Sequence, residues 1–189
     1  LKRGKKVDIS TVIRKARTAK KMSRATLATR IGLSPRTIET YEAGKQVPPA
    51  DVTLAISREC RMPELTQLYC RKYCPIGQKY GYEVLGGVNL DPPSVVIKLV
   101  GEFDEARAVL GKMQELLVNK NGREDFSEAE WREFIRCLAE FLDVEHVVEC
   151  LKISLGYWTD VGELIREHND KCWQRGYVQK KKTALKAAN

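Results

Sequence analysis

Two groups of side chains in this 189-residue sequence have types and spacings suited to chemistry. The first is Ser34, Pro35, Arg36, Thr37, Thr40 and Lys45, a run of hydroxyls and cations around one short helical stretch. Arg36 carries the planar fork that reads a guanine edge with two hydrogen bonds, and Thr40 can meet a thymine methyl or a base edge. Ser34, Thr37 and Lys45 suit phosphate oxygens, as does the N-terminus of the helix itself. The second group is two i,i+4 pairs, Cys70 with Cys74 and His168 with Cys172. Each pair puts two soft ligands on one helical face, half of what a tetrahedral zinc site needs. Nothing in the sequence brings the pairs together, and thiols are ordinary core residues, so no metal is expected.

Catalytic constellations are lacking. There is no GxxxxGK[ST] run and no GxGxxG after a strand pattern, and His146 and His168 stand apart from any nucleophile or acid partner. Neither an enzymatic activity nor a cofactor is expected.

The elements that position the first group are legible upstream and downstream of it. Ser23 is placed to cap a short helix burying Leu27, Ala28 and Ile31; Gly32 permits a sharp turn; Leu33 plugs the core; Ser34 caps a second helix with Pro35 at its first position. That helix points Ile38 and Tyr41 inward and leaves Pro35, Arg36, Thr37 and Thr40 outward. Small Ala28 lets the two helices cross closely. An earlier helix carries Val12, Ile13 and Ala16 on one face, and two later helices, near 50–60 and 63–72, each open on a proline.

The stretch from Ser23 to Pro48, with the run Tyr41 to Gly44 followed by Lys45 and Pro48, resembles the helix-turn-helix of the XRE family, the Cro and lambda-repressor type of bacterial and phage regulators. The resemblance spans about residues 8–72. It implies a five-helix DNA-binding domain whose second motif helix lies in the major groove of double-stranded DNA. It also implies that Arg24, at the start of the first motif helix, clamps a phosphate and supports base contacts; Gln is common at that position, so Arg24 is a departure. Ahead of this segment, Lys2, Arg3, Lys5 and Lys6 form a basic arm suited to following the backbone or entering the minor groove.

Charge divides the chain. Residues 1–82 hold 18 Lys+Arg against 6 Asp+Glu, or +12; residues 83–178 hold 11 against 19, or −8; the tail 179–189 is +4. A basic head on an acidic body predicts two domains with different partners, the head facing a polyanion. The stretch 75–93, rich in Gly and Pro and without sustained helical period, reads as a linker or short ordered crossing. The expected organisation is a head over 1–74, a linker over 75–93, a helical oligomerisation or regulatory domain over 94–178 and a basic tail over 179–189.

In the body, Val96, Leu99, Phe103, Ala106, Leu110, Met113 and Leu117 recur at heptad spacing and predict one long helix closed near 119–122. Val96, Leu99, Phe103, Leu110, Met113 and Leu117 are its candidate oligomerisation residues. Ser127 and Glu130 form a capping-box pattern opening a second helix with Trp131, Phe134, Ile135, Leu138, Phe141 and Leu142 on one stripe. A third stripe, Val144 to Cys172, reads as a third helix capped by Asp143, and the three helices are expected to pack together.

The fold class is therefore all-α. The overall composition, 43% hydrophobic and 31% charged, is that of a folded protein. No run reaches the roughly 18 apolar residues of a membrane span, the basic start is not followed by a signal-peptide core, and six sparse cysteines read as reduced thiols. A cytoplasmic protein is expected. The functional expectation is a transcriptional regulator, a repressor by default, that binds a palindromic operator as a homodimer. A protein or small-molecule effector at the body is the further expected partner. The alternative is an antitoxin or protein-interaction module whose helical body covers a partner protein.

Overall fold

The computed structural model describes residues 8–85 and 87–178. The expectations for Lys2, Arg3, Lys5, Lys6 and the tail 179–189 lie outside these residues. Among the described residues the chain is all helical, and no helix is long and apolar enough to cross a membrane. They fall into two compact units, divided between Tyr157 and Trp158.

The head of the first unit is built from α1 (Ile9–Ala19), α2 (Arg24–Arg30), α3 (Pro35–Glu42), α4 (Ala50–Cys60) and α5 (Glu64–Tyr73). Ile9, Val12, Ile13 and Ala16 of α1 recur at helical spacing and are all buried, against Leu27, Ala28, Ile38, Tyr41, Ile56, Cys60, Leu65 and Leu68. These are the residues whose period of 3.6 puts them on the inward faces. Ile31, expected in the core, ends α2 as its C-cap and only flanks the core, together with Leu33. Cys60 lies at the bottom of this core; burial first, then the nearby Glu59, pushes its thiol up to about 11. It is a packing residue rather than a reactive one.

The expected linker contains a helix. Pro75 sits at the first position of α6 (Pro75–Tyr80), which folds back on the end of α5. The close approach depends on Gly77, where a Cβ would stand 2.2 Å from the carbonyl oxygen of Cys70. Arg71 donates to the Gln78 carbonyl and the Gln78 side chain donates to that of Lys72, so two carbonyls left free at this corner are partnered. Composition alone read as a linker because Gly and Pro mark a tight corner as readily as a flexible one.

After the corner, residues 81–85 and 87–90 tie the head to a long helical hairpin. Val84 packs on the head core, while Leu85 and Leu90 pack on a second core of Val95, Val147 and Cys150. The Tyr82 ring stacks on His146 with centroids 4.7 Å apart, and its hydroxyl donates to Glu145 at 2.9 Å. Lower down, the Tyr157 hydroxyl donates to Glu64 at 2.6 Å, and Gly156 lies so close to Pro63 that a Cβ there would meet it at 2.9 Å.

The hairpin is α7 (Pro92–Leu117) against α8 (Glu128–Leu155), joined by a 3-10 turn at Arg123–Asp125. Asp91 caps α7 by accepting from the Ser94 amide, with Pro92 at the first position. Ser127 and Glu130 form the expected capping box: the Glu130 amide donates to Ser127 Oγ at 3.3 Å and the Ser127 amide to Glu130 Oε2 at 2.8 Å. At the tip, Phe126, Trp131 and Phe134 cluster, with the Arg123 guanidinium over Trp131 at 4.7 Å.

One expected boundary is wrong. Asp143 does not cap a third helix; it is an exposed residue inside α8, which runs on to Leu155. The stripes before and after it are one stripe, because Phe141, Val144, Val147 and Leu151 continue the same period and no Gly or Pro interrupts them. The last helix, α9 (Val161–Gln174), is instead opened by Asp160, which accepts from the amides of Gly162 and Glu163, and it belongs to the second unit.

Gly77→Ala tests whether this corner is built rather than merely crossed. The added Cβ is expected to detach α6 from α5 and raise amide exchange across residues 76–81 by at least tenfold. Exchange in α1 to α4 should be unchanged.

Candidate nucleic-acid interface

Local chemistry fixes the shape of the α2–turn–α3 segment. Ser23 Oγ accepts from the Thr26 amide at 3.0 Å, and Ser34 Oγ from the Thr37 amide at 3.1 Å, so each short helix starts on a satisfied donor. Gly32 takes φ +70°, the left-handed conformation that only glycine adopts at no steric cost, and the Leu33 amide then donates back to the Ala28 carbonyl at 2.8 Å. Ala28 is fully buried where α2 meets α3, as its small side chain requires.

What holds the two helices in register is a carboxylate that the sequence reading passed over. Glu42, the last residue of α3, has a side chain only 1% exposed. Arg17 of α1 donates from Nε to its Oε1 at 2.5 Å and from Nη2 to its Oε2 at 3.1 Å, while Arg24 of α2 donates from Nε to Oε2 at 2.8 Å. The remaining Nη1 of Arg17 donates to the Met22 carbonyl at 2.6 Å, just before α2. Burial pushes the Glu42 carboxyl up, but the hydrogen bonds from Arg17 and Arg24, together with their charges, outweigh it and hold the group below its ordinary value.

With that anchor on its inner side, α3 turns the other side outward. Ser34, Pro35 and Arg36 are exposed, Thr37 and Thr40 are half-buried, and Lys45 is exposed beyond the helix end. The Thr40 hydroxyl donates to the Arg36 carbonyl at 2.9 Å, which occupies its proton. The Thr37 hydroxyl lies 2.8 Å from Ser34 Oγ, so part of its capacity is spent on the cap. Arg24 is shared: its Nε serves Glu42, yet its side chain remains 44% exposed.

Glu39, also passed over, is exposed on the same outward side. Its charge reaches Arg24, where it adds to the effect of Glu42 in raising the guanidinium. The helical spacing 36, 39, 40 was the signal that could have found it. On the head surface, Lys20, Met22, Arg30, Glu59 and Arg61 line an open cleft of about 260 Å³ in which Arg30 pairs with Glu59 at 3.3 Å.

The two metal-like pairs belong to different units. His168 Nε2 and Cys172 Sγ lie 3.5 Å apart in the second unit, and Cys70 and Cys74 belong to the first. Among the described residues no group of three or more His, Cys, Asp or Glu side chains converges as a metal would require. The six cysteines are free thiols; Cys60, Cys137 and Cys150 are buried, Cys74 and Cys172 half-buried and Cys70 exposed.

The burial of Glu42 sets a test with a definite sign. Glu42→Gln removes one partner of a buried ionic cluster and should lower head stability by about 3 kcal/mol at neutral pH. Because the folded carboxyl lies below its ordinary 4.5, its contribution is complete above that value and is lost as pH falls through the folded value. The difference in thermal unfolding between the native protein and the variant should therefore be constant near pH 7 and shrink progressively below about 4.5. A gap independent of pH down to 3 would mean that Glu42 is held by packing rather than charge.

Residues 13–65 match the family model described as Helix-turn-helix, and outside them no family model matches. No curated protein and no solved structure matches the chain. The match begins within α1 and ends within α5, so it contains both capped helices, the Gly32 turn and the whole Arg17–Glu42–Arg24 cluster. The chain thus carries, over these residues, an XRE-type helix-turn-helix, the DNA-binding domain of a family of transcription regulators.

Proposed function

We propose that this protein is a transcriptional repressor that binds a palindromic operator as a homodimer, its head over 1–74 reading DNA and its acidic body over 94–178 serving assembly. The observation that carries the reading is the two-sided build of α3. Its inner side is tied down by the buried Glu42, while its outer side offers Arg36 and Thr40 on a segment of net charge +12.

In this reading α3 enters the major groove. Arg36 donates both arms of its fork to the O6 and N7 of a guanine, and the Thr40 methyl meets a thymine methyl. Glu39 accepts from a cytosine amino group beside that guanine, which adds discrimination and keeps phosphate away from the centre of the face. Ser34, Pro35, Thr37 and Lys45 line the groove wall and position the backbone. Arg24, oriented by Glu42, clamps a phosphate with the part of its guanidinium that Glu42 leaves exposed, as an arginine reaching farther than the family's common Gln would do. One short helix reads few base pairs, so two copies on a two-fold site supply specificity that one lacks. Repression follows from occupying the promoter.

Selection of binding sites from a random duplex library at near-physiological salt tests this. Enrichment of a palindrome with half-sites about one turn apart is expected. Arg36→Ala should cost about 1–3 kcal/mol on the selected site and relax preference at one position in each half-site. A uniform loss on every sequence would make Arg36 a phosphate contact, and failure to enrich any sequence would overturn the reading.

A further inference from the structure

The α7/α8 hairpin buries one stripe of α7 and leaves the neighbouring one bare. Val95, Leu99, Ala106, Val109, Met113 and Leu116 are buried or half-buried. One position further round lies the row 96, 100, 103, 107, 110, 114, 117, of which five are apolar. Val96, Val100, Phe103, Leu110 and Leu117 are each between 45% and 56% exposed. On α8, Ile135 and Leu142 are 43% and 48% exposed. In an antiparallel helix pair with these packed seams, both exposed rows fall on the same side of the hairpin. Counted along the helices from the cluster of Val95, Val147 and Cys150, Phe103 stands level with Leu142, and Leu110 with Ile135.

We propose that this face docks a second copy of the chain, the two hairpins closing into a four-helix bundle with both heads at one end. These seven side chains expose on the order of 600 Å² of apolar surface per copy, at the upper limit of what a monomer leaves uncovered. Two copies bury about 1,200 Å² from them alone, which is where specific, stable interfaces begin. The occupant is another copy because the face is one complete layer of a bundle, and the same layer turned over supplies the missing one at helix spacing. With the two-fold axis along the hairpin, α7 lies over the partner's α8, so Phe103 meets the partner's Leu142 and Leu110 meets the partner's Ile135. Leu99 and Met113, candidates from the heptad pattern, serve the hairpin's own packing instead.

The direction of pairing rests on the operator reading above; the surface does not. Each head is attached where α7 begins and α8 ends, through Tyr82, Gly156 and Tyr157. The 26 residues of α7 span about 39 Å. Hairpins running in opposite directions would hold the heads farther apart than that, beyond the 34–36 Å of adjacent half-sites.

Sedimentation of the full chain should give a dimer at micromolar concentration, and Phe103→Lys with Leu142→Lys should weaken it at least 100-fold with helicity retained. Val100→Lys, at a residue with 56% of its surface free, guards against an unfolded double variant and should weaken it about tenfold. Binding to a single half-site should be unchanged, and binding to the two-site duplex should fall with the dimer. Spin labels at Asn121→Cys, with Cys70, Cys74 and Cys172 replaced by Ser, sit at the hairpin tip. They should lie within about 30 Å of each other; hairpins in opposite directions would place them more than about 40 Å apart and overturn the shared end. A monomeric native chain, alone or held by a different protein, overturns the surface, as does a dimer indifferent to these substitutions. A dimer that responds as expected but enriches no duplex upholds the surface and sinks the operator reading.

Discussion

Burying a carboxylate costs several kcal/mol unless its oxygens are met by donors of opposite charge, and the head of this protein is organised around one that is met on both sides. Glu42 lies at the end of α3 with Arg17 of α1 on one oxygen, and with both Arg17 and Arg24 of α2 on the other. Apolar contact between Ile13, Leu27 and Ile38 favours association of the three helices but is non-directional. The hydrogen bonds are directional, so they set how α3 is rotated about its axis and hence which residues it turns outward. With Ile38 and Glu42 locked inward, Arg36 and Glu39 are exposed and Thr40 is half-buried beside them. The turn can hold this geometry because Gly32 accepts φ +70° and Ala28 fills the crossing without forcing the helices apart.

Much of the head was legible before its coordinates because its signals are local. Ser23 and Ser34 cap the helices they precede, Pro35 starts α3, and Ile38 and Tyr41 are buried, each a consequence of one residue and its nearest turn. Glu42 was not legible, since a charged residue closing an amphipathic helix reads as solvated, and its two partners lie 25 and 18 positions away. Glu39 escaped because attention to cations and hydroxyls hides an acid in the same face. What a residue does across the core depends on tertiary neighbours that periodicity does not contain.

In the body, length and period were legible and the boundaries were not. The heptad at 96, 99, 103, 106, 110, 113 and 117 mixes two adjoining stripes, since Leu99, Ala106 and Met113 face α8 while Val96, Phe103, Leu110 and Leu117 face away. A helix with apolar residues over so wide an arc satisfies a heptad template at more than one phase. Packing against α8 chooses the phase, and no property of α7 alone does. Asp143 misled for the opposite reason: N-cap residues are also ordinary exposed residues, and a carboxylate on the solvated side of a long helix costs little.

The join between head and hairpin gives these separate features a common consequence. Had residues 75–93 been a flexible tether, the head would sample many orientations and the body would contribute only local concentration. Instead α6 folds back on α5, Val84 and Leu85 plug one core each, and Tyr82 stacks on His146 on one side of the join. Tyr157 bonds Glu64 and Gly156 abuts Pro63 on the other. These contacts, on both sides of the join, favour one orientation of the head on the hairpin, and so couple the direction of α3, through Glu42 and the head core, to that of α7. Anything that orients the hairpin also orients the face bearing Arg36 and Thr40, and in the proposed dimer the spacing between two such faces follows from how the hairpins meet rather than from linker length.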